Sequence, residues 1–376
     1  MRTHPLKIAV TLLLTVALLG VAAPAVRADL MIIGLDEKVT FDAEGNRAFV
    51  APGKDSIVVV DIANREAPRI VATFPLINSI FGPPTNLAIT PDERLAVVAN
   101  SVNWVPDGTA WKPAPDNKLY VFDLKANPPA QVGLLLVTNR ADKSVSVLTI
   151  QGTDVKLVDT VAMGDEVASV AIAPDGKRAL VTKFPAHKIA LLEIAGQKVT
   201  YGKWDMPVGQ WPYNIGVTPN GRIGISADNG ASGSPDGHVD TVSVMDLEAT
   251  PVRVIDRVVV GDAPEGFVIS PTGDVAVAVL LGGASVPKGP NGWYWKRNGS
   301  LAVLKIDGKQ VTKVGEVEVG ALPEGAVFSP DGKYLYVGNY IDRNVSILKV
   351  DGTKITDTGK KLVLPGQPVS MRGRNP

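Results

Sequence analysis

A four-residue turn recurs along the chain, and its copies are spaced so closely that only short strands fit between them. The copy Ser329-Pro330-Asp331-Gly332 separates the apolar runs "GAVFS" and "YLYVGN", and a third run, "NVSILKV", follows. Proline presets φ and glycine accepts the left-handed position, so the pattern predicts a hairpin turn. Further copies begin at Thr90, Ala173, Thr218 and Ser270, with a degenerate copy at 42–45. The unit is therefore strand, turn, strand, turn, strand.

The spacing of the copies predicts the architecture. Pro174, Pro219, Pro271 and Pro330 are 45, 52 and 59 residues apart, and the third apolar run recurs seven times, from residues 56, 119, 144, 188, 241, 300 and 344. Such periods suit four strands per blade of a β-propeller. We predict an all-β fold, a β-propeller with seven blades of four antiparallel strands.

One junction is too short for this plan. Only nine residues, 125–133, separate "LYVFDL" from "LLLVTNR", where an outer strand, a connector, an inner strand and a turn are expected. About two strands are missing, so blades two and three are predicted to be truncated. A deletion relative to similar proteins and a ring of six blades are the alternatives.

Several of these motifs resemble the YVTN-type propellers. The resemblance rests on "LYVGN" near 335, "LLVTN" near 135, the "PEG" copies at 264 and 323, and the Pro-Asp-Gly turns, and it covers residues 38–366. That family includes periplasmic and surface-layer repeat proteins and is related to propeller lactonases. The resemblance implies the fold but no particular activity, because propellers host many unrelated functions.

The N-terminus is typical of an exported protein. Arg2 and Lys7 precede an apolar run from Ile8, and small residues end in "AVRAD". We interpret residues 1–28 as a secretory signal peptide and 29–376 as a single propeller domain, periplasmic or secreted and without a membrane span after cleavage. An uncleaved membrane anchor is the alternative.

Charge and residue counts exclude several classes of function. The 38 basic and 38 acidic side chains leave no electrostatic footprint for nucleic acid. The absence of cysteine excludes disulfides and covalent haem. His187 and His238 are the only histidines after residue 28, too few for a multi-histidine metal site. Nucleophile-elbow, Walker and dinucleotide-binding motifs are also missing. We expect no cofactor, with Ca²⁺ at the channel mouth as the alternative.

One face of the propeller carries the variable loops. The Pro-Asp-Gly turns join the first two strands of each blade and lie on the opposite face, whereas insertions at 101–118, 229–240 and 281–300 lengthen loops on the connector face. Lys183 stands where four other blades have asparagine, which favours an anionic ligand. The candidate ligand-binding residues are Trp104, Trp111, Tyr213, Trp293, Trp295, Lys183 and Asn86. Alternatively, the aromatic rings pack the loops onto the blades.

Charged residues near the channel mouth are the candidates for catalysis. Glu265 and Glu324 follow the prolines of the two "PEG" connectors, where crowding would raise one pKa and allow acid and base roles. His187, His238 and Arg297 complete the candidates. In the structural alternative, both glutamates accept connector N–H groups.

Three functions remain open. We favour a periplasmic recognition propeller that binds a small molecule or a protein partner on its loop-rich face. The alternatives are a lactonase-like hydrolase, which the resemblance permits, and an accessory protein of periplasmic redox metabolism. No lactonase motif matches residue by residue, so the catalytic residues are unknown.

Overall fold

The structure is a computed structural model that describes residues 29–374 except for several short segments. Those segments are 43–44, 79–83, 85, 91, 109, 125–131, 152–153, 231–233 and 285–291. The predicted signal peptide, 1–28, lies outside the described residues, as do parts of two predicted insertions. In the described part of the chain, no helix is long and apolar enough to cross a membrane.

Strands β1 to β11 build the first three blades and one extra hairpin. In chain order they are β1 (Leu30–Asp36), β2 (Val39–Phe41), β3 (Arg47–Phe49), β4 (Ser56–Asp61), β5 (Arg69–Pro75), β6 (Leu87–Ile89), β7 (Leu95–Asp107), β8 (Ala110–Asp123), β9 (Val132–Asn139), β10 (Ser144–Gln151) and β11 (Asp154–Ala162).

Strands β12 to β28 build blades four to seven and close the ring. They are β12 (Val167–Ile172), β13 (Arg178–Lys183), β14 (Lys188–Ala195), β15 (Lys198–Pro207), β16 (Pro212–Val217), β17 (Ile223–Asp228), β18 (Asp240–Asp246), β19 (Arg253–Gly261), β20 (Pro264–Ile269), β21 (Val275–Leu280), β22 (Ser300–Asp307), β23 (Gln310–Glu318), β24 (Pro323–Phe328), β25 (Tyr334–Asn339), β26 (Asn344–Asp351), β27 (Lys354–Val363) and β28 (Gln367–Gly373).

Seven antiparallel sheets form the blades, which confirms the predicted β-propeller. The third apolar run supplies the third strand of every blade: β4, β8, β10, β14, β18, β22 and β26. Five sheets have four strands. Among the described residues, the blade-two sheet, β6-β7-β8, and the blade-three sheet, β9-β10-β11, have three each. The prediction that these two blades are truncated is confirmed, and the six-bladed alternative is wrong.

The last strand closes the ring. β28 is the innermost strand of blade one and pairs with β1, placing Ile33 opposite Met371. Arg372 Nε also donates to Leu87 O of blade two at 3.2 Å. Blade one therefore contains both ends of the described chain, and its inner strand is contributed by the C-terminal segment.

The prediction that the degenerate turn at 42–45 is a copy of the blade turns is wrong. This turn joins β2 to β3, a two-stranded hairpin inserted between the second and third strands of blade one. The full turns do join first and second strands. At Ser329–Gly332, Gly332 adopts φ 68° and Asp331 Oδ1 accepts bonds from Ser329 Oγ at 2.5 Å and Lys333 N at 3.1 Å.

The hydrophobic core lies between neighbouring blades. One cluster joins Ile225 of blade five to Ala278 and Leu304 of blade six, all buried. Both faces of these inner sheets are covered, so their strands are nearly continuous apolar runs such as the fully buried β21. The polar side chains that can contact a ligand therefore lie at the ends of these strands.

Candidate functional site

Two glutamates lie side by side at the start of neighbouring inner strands. Glu265 is the second residue of β20 and Glu324 the second of β24, and they are 7% and 2% exposed. The glycines of the "PEG" motif allow this approach, because a Cβ on Gly266 would overlap the backbone oxygen of Glu324. Glu324 Oε2 is buried and accepts no hydrogen bond from the described residues.

Burial changes the protonation of this carboxyl pair, by which we mean Glu265 and Glu324. Loss of hydration raises the pKa of Glu265 to about 8. Burial raises the pKa of Glu324 well above its usual range, and a negative charge on Glu265 raises it further. At neutral pH the pair therefore holds at least one proton, on Glu265, so it can both donate and accept hydrogen bonds.

Tyr213 and Arg140 extend the site across the channel. Burial raises the pKa of the Tyr213 hydroxyl, and the charges of Glu265 and Glu324 raise it further, whereas Arg140 lowers it. Tyr213 packs on Phe184 with ring centroids 5.1 Å apart, and the Arg140 guanidinium lies 4.3 Å from the centre of the same ring. Blades three, five, six and seven thus each contribute one polar group. Sequence reasoning missed Arg140.

A long hairpin covers part of this mouth. The cap hairpin, β7 and β8, contains the insertion that the sequence analysis described as a loop. Trp104 is 3% exposed and stacks on Phe49 of the β2–β3 hairpin at 4.6 Å. Both Trp104 and Trp111 belong to a cluster with Leu322 and Tyr340 of the blade-seven side. Trp104 therefore packs the cap hairpin against the ring.

The apolar cluster lies beside the carboxyl pair. Tyr340 is fully buried within it, and its hydroxyl donates to Val39 O at 2.6 Å. Burial raises the pKa of Tyr340, and the charges of Asp36 and Glu324 raise it further. The cluster thus removes water from the side of the mouth where Glu324 lies.

A buried lysine group in blade one was also missed by the sequence analysis. Lys38 is fully buried, and its ammonium donates to Asp36 Oδ1 at 3.0 Å, to Asp55 Oδ2 and to Asn78 O. The predicted ligand residue Asn86 lies next to it and donates to Asn78 Oδ1 at 2.7 Å. Asn86 Oδ1 is buried without a donor among the described residues, so this side of the mouth also has an unused acceptor.

Two blade-four candidates are engaged within the protein. Lys183 is 3% exposed, and its ammonium lies 2.9 Å from Asp165, 2.8 Å from Asp205 and 2.9 Å from the Tyr201 hydroxyl. These partners raise the pKa of Lys183, although burial alone lowers it. His187 Nδ1 accepts a hydrogen bond from the backbone N–H of Trp211 at 3.0 Å. Both side chains thus hold connectors in place.

The remaining candidates lie on exposed loops. His238 pairs with Asp236 at 3.2 Å, and Arg297 pairs with Asp342 at 2.5 Å. Trp293 is 74% exposed and contacts Tyr294 edge to face at 5.3 Å, while Trp295 is half-buried. The described residues contain no group of three or more acidic, histidine or cysteine side chains arranged to hold a metal ion.

Solved structures share this fold. A proposed 6-phosphogluconolactonase from Bacteroides uniformis gives a TM-score of 0.65 at 16% identity, covering 92% of this chain and 99% of its own. The periplasmic gluconolactonase PpgL of Pseudomonas aeruginosa gives 0.62 at 16% identity, with coverage of 92% and 98%. Apo AztD from Citrobacter koseri gives 0.53 at 14% identity, with coverage of 92% and 98%.

These similarities establish the propeller fold and not an activity. No protein-family model matches the chain, and no curated protein matches it in sequence. The resemblance to YVTN-type propellers therefore stays a prediction.

Proposed function

We propose that the protein is an exported recognition propeller that binds a small hydroxylated molecule at the channel mouth, against Glu265 and Glu324. The observation that carries the proposal is the buried carboxyl pair, in which Glu324 Oε2 accepts no hydrogen bond from the described part of the chain. An unpaired buried oxygen costs about 1–3 kcal/mol, and a ligand hydroxyl removes that cost. The N-terminal sequence and the periplasmic gluconolactonase among the similar structures support a periplasmic location.

The surrounding groups favour a particular ligand class. Protonated carboxyl groups pair with hydroxyls in both directions, whereas a cation would require them to ionise. Arg140 Nε pairs with Glu166 at 3.3 Å, and the remaining guanidinium N–H groups, beside Tyr213, suit a ligand that carries a carboxylate or a polar ring oxygen. Sugar acids and their lactones have this combination.

The binding test uses D-gluconate, D-glucono-1,5-lactone and D-glucose in calorimetric titrations at pH 6 to 9. Glu324→Gln keeps a neutral hydrogen-bonding group, so we expect affinity within about threefold of wild type, whereas Glu324→Leu loses about tenfold or more. Affinity also falls above pH 8 as Glu265 ionises. Asp331→Ala, on the opposite face, is the control and leaves affinity unchanged. Equal binding by Glu324→Leu and wild type contradicts the proposal.

Hydrolysis of a lactone is the second candidate, and one observation favours it. A carboxyl group with a pKa of about 8 beside another ionisable carboxyl can transfer protons at neutral pH, which both attack by water and departure of the ring oxygen require. Under this proposal Glu265→Gln retains lactone binding and loses 10²-fold or more in turnover, on the scale typical of general acid–base residues.

Turnover of the lactone is followed by proton release at pH 7, corrected for spontaneous hydrolysis. Wild-type protein that binds the lactone but does not accelerate its opening supports recognition and contradicts hydrolysis. Acceleration that persists in Glu265→Gln would place the chemistry elsewhere.

A further inference from the structure

The junction between blades two and three lacks the segment that joins the other blades. Between β22 and β25, residues 308–333 supply an outer strand, a connector and an inner strand, whereas only residues 124–131 separate β8 from β9. Within the described residues, β8 pairs only with β7, and β9 pairs only with β10. In the part of the chain that the structure describes, the outer edge of blade two and the inner edge of blade three are therefore open.

A polar cleft lies on blade three at this junction. It measures about 450 Å³, and its lining residues are Asn139, Asp142, Ser144, Ser146, Thr160 and Ala162. Ser144 pairs with Asn139 and with Ala162, just as Asn344 of blade seven pairs with Asn339 and with Val363. The cleft residues thus have register equivalents in blade seven.

In blade seven these equivalents hold the connector from the preceding blade. Asn339 Oδ1 accepts the Gly320 N–H at 2.9 Å, and Asp342 Oδ2 accepts the Ala321 N–H at 2.9 Å. Asn339 Nδ2 is fixed by Asn344 Oδ1 at 2.7 Å and Ser346 Oγ at 2.8 Å. Two consecutive backbone donors are therefore recognised by a pre-oriented amide and a carboxylate.

Blade three has the same arrangement of acceptors. Asn139 Nδ2 donates to Ser144 Oγ at 3.0 Å and to Ser146 Oγ at 2.8 Å, which orients the amide as in blade seven. Among the described residues, nothing donates to Asn139 Oδ1 or to the Asp142 carboxylate. Acceptors that are oriented before binding lose little entropy when a ligand arrives.

We infer that this junction is a docking site for an extended polypeptide segment of a partner protein, with the pattern strand, glycine, strand. The two acceptors match consecutive N–H groups, and the open edges of β8 and β9 pair with the flanking strands. Glycine is required at the first donor, because a Cβ on Gly320 would overlap the Asn339 side chain. The docked segment supplies the outer strand, the connector and the inner strand that residues 308–333 supply at the blade-seven junction.

The test uses a labelled synthetic peptide of residues 310–328, "QVTKVGEVEVGALPEGAVF", titrated into the full chain by fluorescence anisotropy. Asn139→Leu removes the acceptor, and leucine already stands at the equivalent position 280 of blade six. Asn139→Asp keeps an acceptor and copies Asp228 of blade five. We expect about tenfold weaker binding for Asn139→Leu and affinity within about twofold for Asn139→Asp.

A peptide carrying Gly320→Val is the matched ligand control and should bind at least tenfold more weakly. Bound wild-type peptide should also slow hydrogen exchange at the β8 and β9 amides. The inference is overturned if the wild-type peptide does not bind the folded chain, or if the Gly320→Val peptide binds equally well. It is also overturned if only a free sugar or amine occupies the cleft.

Discussion

At the scale of single residues, the carboxyl pair couples protonation to folding. The pKa of Glu265 rises from 4.5 to about 8 on burial, so the folded state holds a proton that the unfolded chain has released between those values. Stability falls with rising pH wherever the folded state binds more protons. The contribution of Glu265 is therefore most favourable below pH 4.5 and is lost as pH rises towards 8.

We predict that the free energy of unfolding of wild type decreases between pH 5 and pH 8 by on the order of a few kcal/mol. Glu265→Gln reduces this slope, and the double variant with Glu324→Gln reduces it further, while Asp228 and Asp240, whose pKa values burial raises to about 6, keep the remainder. Urea unfolding across the pH range is the measurement. Glu248→Gln is the control and keeps the wild-type slope, because the exposed Glu248 has a lowered pKa. A double variant with an unchanged slope would show that neither carboxyl is neutral when folded.

At the scale of elements, the cap hairpin depends on one buried ring. Trp104 is 3% exposed, whereas Trp293 in a neighbouring insertion is 74% exposed. Trp104→Ala should cost about 3–5 kcal/mol of unfolding free energy, the usual range for a buried aromatic. Trp293→Ala should change it by less than about 0.5 kcal/mol. Guanidinium unfolding of both variants provides the comparison, and equal effects would mean that the hairpin is not packed on the ring.

The truncated blades differ from the others in how their strands are held. Amides on an open edge lack a ladder partner and open locally at lower free energy. Backbone amides of β8 and β9 should therefore exchange hydrogen faster than those of β26, which pairs on both sides with β25 and β27. Mass spectrometry of peptides covering these strands measures this difference. Uniform protection in all blades would show that another segment closes the gap.

At the scale of the whole molecule, local sequence patterns predicted the blades. The same patterns did not predict the contacts between distant parts of the chain. Each copy of the third run depends on local strand chemistry, and all seven are third strands. The turn at 42–45 has the same local chemistry as a blade turn, so the sequence did not predict that it belongs to an inserted hairpin. Pairing of β1 with β28 joins residues more than 300 positions apart.

The candidate site shows the same limit. Glu265 and Glu324 were predicted because their motif repeats, yet the sequence did not show that Trp104 of the cap hairpin packs with Ala263 and Leu322 beside them. Arg140 was missed because its residue type does not repeat: the equivalent residue of blade seven is Tyr340. Aligning "NRADKSVS" at 139 with "NYIDRNVS" at 339 would have placed Arg140 at the mouth. Pairing of Lys183 with Asp165 and Asp205 depends on connector geometry and carried no sequence signal.

Closure by β28 makes the ring depend on the end of the chain. Val369 and Met371 are 2% and 1% exposed, and their strand also contacts the inner strand of blade seven. Removal of residues 367–376 should therefore leave β1 without its inner neighbour and abolish the cooperative thermal transition seen by circular dichroism. Removal of residues 374–376 alone, which leaves β28 intact, should change the midpoint little. Adding a synthetic 367–373 peptide to the truncated chain should restore the transition in proportion to peptide concentration, since binding to the folded state stabilises it by mass action. A truncated chain that melts like wild type would show that ring closure does not contribute to stability.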